Sequence, residues 1–122
     1  MINRVFEFTH PALPGVSVFA LGTETEIGKR QEVLVCIPPN GTIPLHKHSV
    51  DAEMYIVHGT ATLLSDDSEL DGAVVATGTR VFFQKSMNHG FKAGDKGMKF
   101  ISRNNGIVNA DSQKWDIEFA AV

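Results

Sequence analysis

The chain alternates between short apolar, β-branched stretches and clusters of turn residues, and this alternation limits its fold more than any other feature. Turn clusters such as Pro38-Pro39-Asn40-Gly41 and Ser65-Asp66-Asp67-Ser68 separate the extended segments. Strands are predicted at residues 16–21, 31–37, 53–57, 60–64, 73–77, 79–83, 98–103 and 115–119. Short strands with regular turn signals are typical of an all-β sandwich or barrel.

Length and charge narrow the classes of partner. With 122 residues, 43% of them hydrophobic, the chain suits a single domain over residues 1–122 with a core of its own. The formal net charge of −3 is spread without long runs of one sign. Binding to nucleic acid or to an anionic membrane normally needs a basic patch, so we expect neither partner.

The amino-terminal residues and the cysteine content bear on the compartment. Residues 1–8 interleave charged and apolar side chains and lack the continuous apolar run of a secretory signal. No later segment approaches the length needed to span a bilayer. The single cysteine, Cys36, cannot form an internal disulfide, which agrees with a reducing compartment. We therefore expect a soluble cytoplasmic protein in which Cys36 is a small buried side chain.

Three histidines and one carboxylate are the candidate ligands of a cation. His46 and His48 have one residue between them, so on an extended segment both point to the same side. Glu53 follows five residues after His48, an odd separation, so the chain must turn before Glu53 opens a neighbouring strand. His89 supplies a third imidazole from far along the chain. His10 and His58 lie outside the pattern and are predicted to be non-ligands.

The strand that Glu53 opens has two faces with different predicted roles. Glu53, Tyr55 and Val57 share the face that is predicted to line the site. Tyr55 is there a candidate proton donor, and the alternative is that its ring only packs. Met54 and Ile56 would lie on the outer face, where another chain or the N-terminal segment would have to cover them. This arrangement favours a homodimer.

Four apolar residues are candidates for the wall of a small-molecule pocket. Phe82 and Phe83 are adjacent and face opposite ways, so one of them should reach the interior. Met87 and Phe91 are predicted to join it. Core packing is the alternative for all of them, because small barrels are largely filled by side chains.

Two stretches resemble the conserved motifs of the cupin family. Residues 39–59 contain the His46-Lys47-His48 triplet, then Glu53 and a closing Gly59, and look like the first motif. Residues 78–89, ending in His89, resemble the second motif without an insertion.

The chain departs from these motifs at three points. Asn40 stands where the family often has a first glycine, and asparagine also reaches positive φ. The interval between Glu53 and Gly59 is one residue shorter than its commonest form. Gln84-Lys85-Ser86 replaces the usual Pro-x-Gly and removes a rigid turn before His89.

The resemblance implies a double-stranded β-helix, or jelly roll, with one divalent metal held by His46, His48, Glu53 and His89. Imidazole and carboxylate ligands suit manganese, iron, nickel, copper, cobalt or zinc, and ligand type alone does not choose among them. Four protein ligands would leave a six-coordinate metal two open positions for substrate or dioxygen. A zinc ion filled tetrahedrally could instead serve structure.

Two function classes follow. The first is a metal-dependent enzyme acting on a small organic substrate, dioxygenase-like with a redox-active metal and isomerase- or lyase-like otherwise. The second is a non-catalytic module that binds a small molecule or a metal. Cupins include both kinds, so the resemblance does not choose between them. The presence of all four candidate ligands favours the enzyme.

Overall fold

Every regular element that the structure describes is a strand. The computed structural model describes residue 2 and residues 4–24, 30–111 and 114–120. The strands are β1 (Glu7–Phe8), β2 (Ser17–Glu24), β3 (Arg30–Ile37), β4 (Thr42–Lys47), β5 (Ala52–Ser65), β6 (Val74–Ala76), β7 (Arg80–Phe83), β8 (His89–Asn104), β9 (Asn109–Asp111), β10 (Lys114–Trp115) and β11 (Glu118–Phe119). The predicted all-β class is confirmed. No helix among these residues is long and apolar enough to cross a membrane.

One curled antiparallel sheet contains most of the strands. Its order is β1-β2-β3-β8-β4-β11, and β5 pairs with β6, β7 and β8. Strand β8 lies at the centre, because its C-terminal half pairs with β3 and its N-terminal half with β4, while β5 runs along its other edge. Strands β9 and β10 form a separate two-stranded sheet. The curl brings the start of β8 beside β4, where the histidines lie.

Gly59 bends one long strand where two strands were predicted. The segments predicted at 53–57 and 60–64 both belong to β5, whose pairing with β8 shifts register on either side of Gly59. Gly59 has φ +77°, and a Cβ there would lie 2.1 Å from the carbonyl oxygen of Gly97. Only glycine fits so close a backbone approach, so this residue marks a bend within a continuous strand.

Strand β8 and the C-terminal region also differ from prediction. The turn signal at 92–95 lies inside β8, which starts at His89 rather than near Met98. Lys92 pairs with both β4 and β5, and Ala93 pairs with β5, whereas residues 94–97 lie in the register shift between Ala93 and Met98. The strand predicted at 115–119 is divided between β10 and β11.

The inner and outer faces of β5 are the reverse of the prediction. Met54 and Ile56 are buried, with 3% and 2% of their surface exposed, so they belong to the core. Glu53 and Tyr55 alternate with them and lie on the outer face. The homodimer was predicted from Met54 and Ile56 being outside, so it loses that support and stays an untested prediction. Cys36 also differs, since it is only half-buried on the outer face of β3.

Candidate metal centre

The three predicted histidines meet at one end of the sheet. His46 lies on β4, His48 directly follows that strand, and His89 opens β8. His46 and His89 are directly paired across β4 and β8, with ring centroids 4.4 Å apart. One ring nitrogen from each histidine lies within 4.8 Å of the others. Local strand parity and one long-range pairing thus produce a compact cluster of three imidazoles.

The hydrogen bonds of the three rings leave the same nitrogen free in each. The Nδ1 atoms face main-chain carbonyl oxygens: that of Pro44 for His46 at 2.8 Å, that of Met87 for His89 at 3.0 Å, and that of Asp116 for His48. A carbonyl oxygen only accepts, so each Nδ1–H is the donor. In the neutral ring Nε2 then carries the lone pair. Histidines that bind a metal usually have this arrangement, with one ring nitrogen donating a hydrogen bond and the other free to bind the ion.

His89 shows that a cation fits this cluster. The residue is 1% exposed, and its Nε2 is buried without a hydrogen-bond partner among the residues that the structure describes. A buried lone pair with no donor facing it is costly. A metal ion bound by the three rings would satisfy it, and neutral imidazoles are suitable ligands for divalent transition metals.

Burial lowers the pKa of all three imidazoles. The pKa of His46 lies well below its usual value because burial disfavours the charged ring, and His89 and His48 add repulsion. Burial also lowers the pKa of His48, against the opposing effect of the Asp116 carbonyl. The pKa of His89 falls to about 4, again mainly through burial. Burial therefore favours the neutral rings, which are the form that binds metals, at neutral pH.

The structure does not bring Glu53 or Tyr55 to the histidines. On the outer face, the Glu53 carboxylate accepts hydrogen bonds from Tyr55 Oη at 2.7 Å and Arg80 Nε at 3.2 Å. These bonds hold the pKa of Glu53 below its usual value. The predicted placement of both residues beside the metal is therefore wrong.

Glu53 does not reach the histidines because it is displaced by one residue along β5. A displacement of one residue moves a side chain to the opposite face of a strand. The inward position that precedes Glu53 is occupied by Ala52, which is 2% exposed. The short interval between Glu53 and Gly59 was the signal in the sequence, because the commonest spacing places the carboxylate at position 52.

The predicted pocket residues divide between the interior and the surface. Phe83 is the inward member of its pair, 1% exposed, and Phe91 is fully buried and lines the cavity described below. Met87 is half-buried and packs against the core. Phe82 is 44% exposed on the outer face beside Glu53, so it is the outward member of the pair and does not line the pocket, as the prediction that one of the two faces outward allowed.

An apolar cavity adjoins the histidine cluster. Its volume open to water is about 50 Å³. His46 and His48 line one end, and its wall includes Met54, Phe91 and Phe100. The described residues that line it include no Asp, Glu, Lys or Arg. Its polar groups are few, as in most small-molecule sites.

The C-terminal segment supplies site residues that were not predicted from the sequence. The main-chain oxygen of Asp116 fixes the His48 ring, and its carboxylate accepts hydrogen bonds from Ser49 N at 3.0 Å and Ser49 Oγ at 2.7 Å. Trp115 and Ile117 line the cavity on either side of Asp116. In the sequence, the single tryptophan was the feature that could have indicated that this segment lines the cavity.

The unusual turn before His89 keeps its shape without proline or glycine. Ser86 adopts φ +65°, the conformation that glycine most readily takes. Its amide donates to the His48 carbonyl oxygen at 2.8 Å, and the Lys85 amide donates to Asp51 Oδ1 at 2.8 Å. These bonds tie the turn to the loop that follows His48. Asn40 likewise takes a positive φ of 59°, as expected.

Comparison with known proteins agrees with this architecture. A family model described as "Cupin domain" matches residues 33–102. No curated protein matches the sequence.

Three solved structures illustrate the shared fold. The polyketide cyclase RemF from Streptomyces resistomycificus has a TM-score of 0.74 at 19% identity, over 100% of this chain and 87% of that one. A cupin 2 conserved barrel domain protein from Rhodopseudomonas palustris has a TM-score of 0.74 at 17% identity, over 96% and 77%. An oxalate decarboxylase variant from Bacillus subtilis has a TM-score of 0.71 at 16% identity, over 92% and 30%. At identities this low, the structural similarity establishes the fold alone. It confirms the predicted jelly roll.

Proposed function

The chain belongs to the cupin family, and we propose that it is a metal-dependent enzyme acting on a small organic molecule, with His46, His48 and His89 as protein ligands. One observation carries the proposal. The Nδ1 atom of each ring faces a main-chain carbonyl oxygen, so the Nε2 lone pair of each neutral ring is available within one cluster.

The donor set narrows the choice of metal. Imidazole nitrogen suits zinc, copper, iron, nickel and cobalt, whereas manganese prefers oxygen ligands. Without Glu53, the set contains no carboxylate among the described residues. Three protein ligands also leave an open position on a four-coordinate ion, which is typical of catalytic rather than structural zinc. When bound, the metal would supply Lewis-acid polarisation of a substrate oxygen or, for a redox-active ion, electron transfer.

The residues around the cluster hold the ligands and limit access of water. Phe83 packs flat on His89, with ring centroids 4.1 Å apart. Asp116 fixes His48 through its carbonyl oxygen. The apolar wall beyond His46 would bind the hydrocarbon part of a substrate and exclude bulk water. These contacts position the rings before any substrate arrives.

Two of the compared structures carry the names of enzymes. RemF is titled a polyketide cyclase, and the Bacillus subtilis structure is an oxalate decarboxylase variant. Both act on organic molecules by name, which supports enzymatic chemistry in this fold. Their low identity to this chain carries no substrate over to it.

A non-catalytic binding module is the second candidate. One observation favours it: the part of the cavity wall that the structure describes holds no carboxylate or other evident general base besides the imidazoles. Such a site can bind a metal and a ligand without moving protons. The two candidates differ in product formation rather than in metal binding.

Metal analysis of protein purified without a histidine tag tests the proposal. Unmodified protein should retain about one equivalent of a transition metal, and the His46→Ala/His48→Ala variant should lose it while staying folded and β-rich. The exposed His58 offers a matched control, and His58→Ala should retain the metal. Metal retained by the double variant would contradict the proposal. Candidate substrates are then assayed with and without dioxygen, which separates redox turnover, non-redox turnover and binding without product.

A further inference from the structure

Asn109 and Trp115 face each other in the wall of the cavity beside the histidine cluster. They are paired across β9 and β10, the two-stranded sheet. Side chains of directly opposed residues project from the same face of a sheet. Both residues line the cavity that His46 and His48 also line. The two pairs therefore share one chamber.

Each of these residues carries a buried N–H group that has no hydrogen-bond partner within the described part of the chain. Asn109 Nδ2 and Trp115 Nε1 make no hydrogen bond to any residue that the structure describes. Asn109 is 4% exposed, and the indole nitrogen itself is buried. Most buried polar atoms in folded proteins are hydrogen-bonded, so two such donors on paired residues of a cavity wall call for an acceptor. The indole N–H can only donate.

The main chain of Asn109 is already satisfied by Gln31. Gln31 Oε1 accepts from the amides of Val108 and Asn109, both at 2.9 Å. Gln31 Nε2 donates to the Asn109 carbonyl oxygen at 2.8 Å. The glutamine is 2% exposed and anchors this strand rigidly. The free amide of Asn109 is thus held in place while remaining available.

The rest of the wall limits what an acceptor ligand can be. Ser102 Oγ donates to Asn104 Oδ1 at 2.8 Å, so the hydroxyl and the amide oxygen bind each other. Most other lining residues are aliphatic or aromatic, and none of those described carries a formal charge at neutral pH once the histidines are neutral. A bare anion would lack a counter-charge there. A neutral oxygen acceptor on an apolar body fits this wall better.

We infer that Asn109 and Trp115 bind the carbonyl oxygen of a small, uncharged, mostly apolar ketone or related carbonyl compound, and so determine which molecules enter the site. The two donors would orient the ligand along the cavity toward His46 and His48. What happens to the ligand at those histidines rests on the proposed function. Trp115 directly precedes Asp116, which fixes His48, so one short segment positions both ends.

A matched pair of probes tests this directly. Cyclohexanone and methylenecyclohexane have nearly the same shape, and only the ketone offers an acceptor. Because the chain has a single tryptophan, its indole N–H gives one assignable proton–nitrogen resonance. Cyclohexanone should move that proton downfield saturably in zinc-loaded and in metal-free protein. Two new hydrogen bonds should make the ketone bind about tenfold more tightly than the hydrocarbon.

Three variants complete the test. Asn109→Leu and Trp115→Phe should each reduce the ketone preference several-fold toward equal binding of the two probes, measured by ligand-observed NMR. Asn105→Leu, the same change at an exposed position, should leave it unaltered. Equal affinity of the two probes for the unmodified protein, or an indole resonance that cyclohexanone does not move, would overturn the inference. Metal loss with the preference intact would instead refute the proposed function alone.

Discussion

The ring of Phe83 stacks face to face on the imidazole of His89, with centroids 4.1 Å apart and 10° between the ring planes. The two residues come from different strands, β7 and β8, and both are almost completely buried. The contact removes one face of the imidazole from water and fixes its orientation. It therefore contributes both to the lowered pKa of His89 and to the direction of its free nitrogen.

Replacing Phe83 should weaken the site and the fold together. Phe83→Leu removes the stacked ring from the core and should lower the free energy of unfolding by roughly 1–3 kcal/mol. Metal affinity should fall as well, because the His89 ring gains freedom. Denaturant titration and metal titration of the variant measure the two effects. Phe82→Leu is the matched control, since Phe82 is its exposed neighbour. Equal effects of the two substitutions would contradict this role of Phe83.

The metal-free protein should lose stability in mild acid. In the unfolded chain the histidines bind protons near pH 6.5, whereas burial lowers the pKa of His46, His48 and His89 in the folded state. The unfolded state then binds more protons below pH 6.5, so stability is full above that pH and falls toward pH 4. Because its pKa in the folded state is about 4, His89 alone should lower the free energy of unfolding by about 3 kcal/mol once the pH has fallen to 4.

Chemical denaturation at several pH values measures the slope of the free energy of unfolding against pH. Replacing His89 with glutamine should flatten it, even if the variant is less stable at pH 7. The exposed His58 serves as a control, and His58→Ala should keep the slope. A stability that is constant between pH 7 and pH 4.5 would show that the three rings are not buried as neutral groups.

Glu53→Gln should leave the metal in place. The carboxylate lies on the outer face, bonded to Tyr55 and Arg80, and does not join the histidine cluster. The variant should therefore retain the same metal content as the unmodified protein, measured by elemental analysis. A loss of metal comparable to that of His48→Ala would restore the carboxylate to the ligand set and refute the assignment of faces on β5.

Ser86→Gly should stabilise the protein. Ser86 adopts φ +65°, which disfavours side chains with a Cβ, and it is exposed, so little packing is lost. Relief of this strain should exceed the extra entropy of glycine in the unfolded chain by about 0.5–1 kcal/mol. Thermal and denaturant unfolding measure the change. Ser86→Ala keeps the strained backbone and should give no gain, whereas a less stable glycine variant would argue against strain at this turn.

The sequence alone determined the strand-rich class, most of the strand positions and the three histidines. These features depend on local chemistry: turn residues interrupt apolar runs, and side chains two apart on an extended segment share a side, as His46 and His48 do. The resemblance to cupin motifs added His89, which no local rule could join to the pair. The pairing of β4 with β8 then brought His89 opposite His46.

Only the tertiary structure decided which face of β5 is inside. Strand parity divides residues 53–57 into two sets, but it does not say which set meets the core, and a displacement of one residue exchanges them. Pairing with β7 and β8 turned Met54 inward and Glu53 outward. The contacts of His48 with Asp116 and of Asn109 with Trp115 likewise depend on where the C-terminal segment returns. Such long-range pairings result from the packing of the whole chain, so no local pattern in the sequence records them.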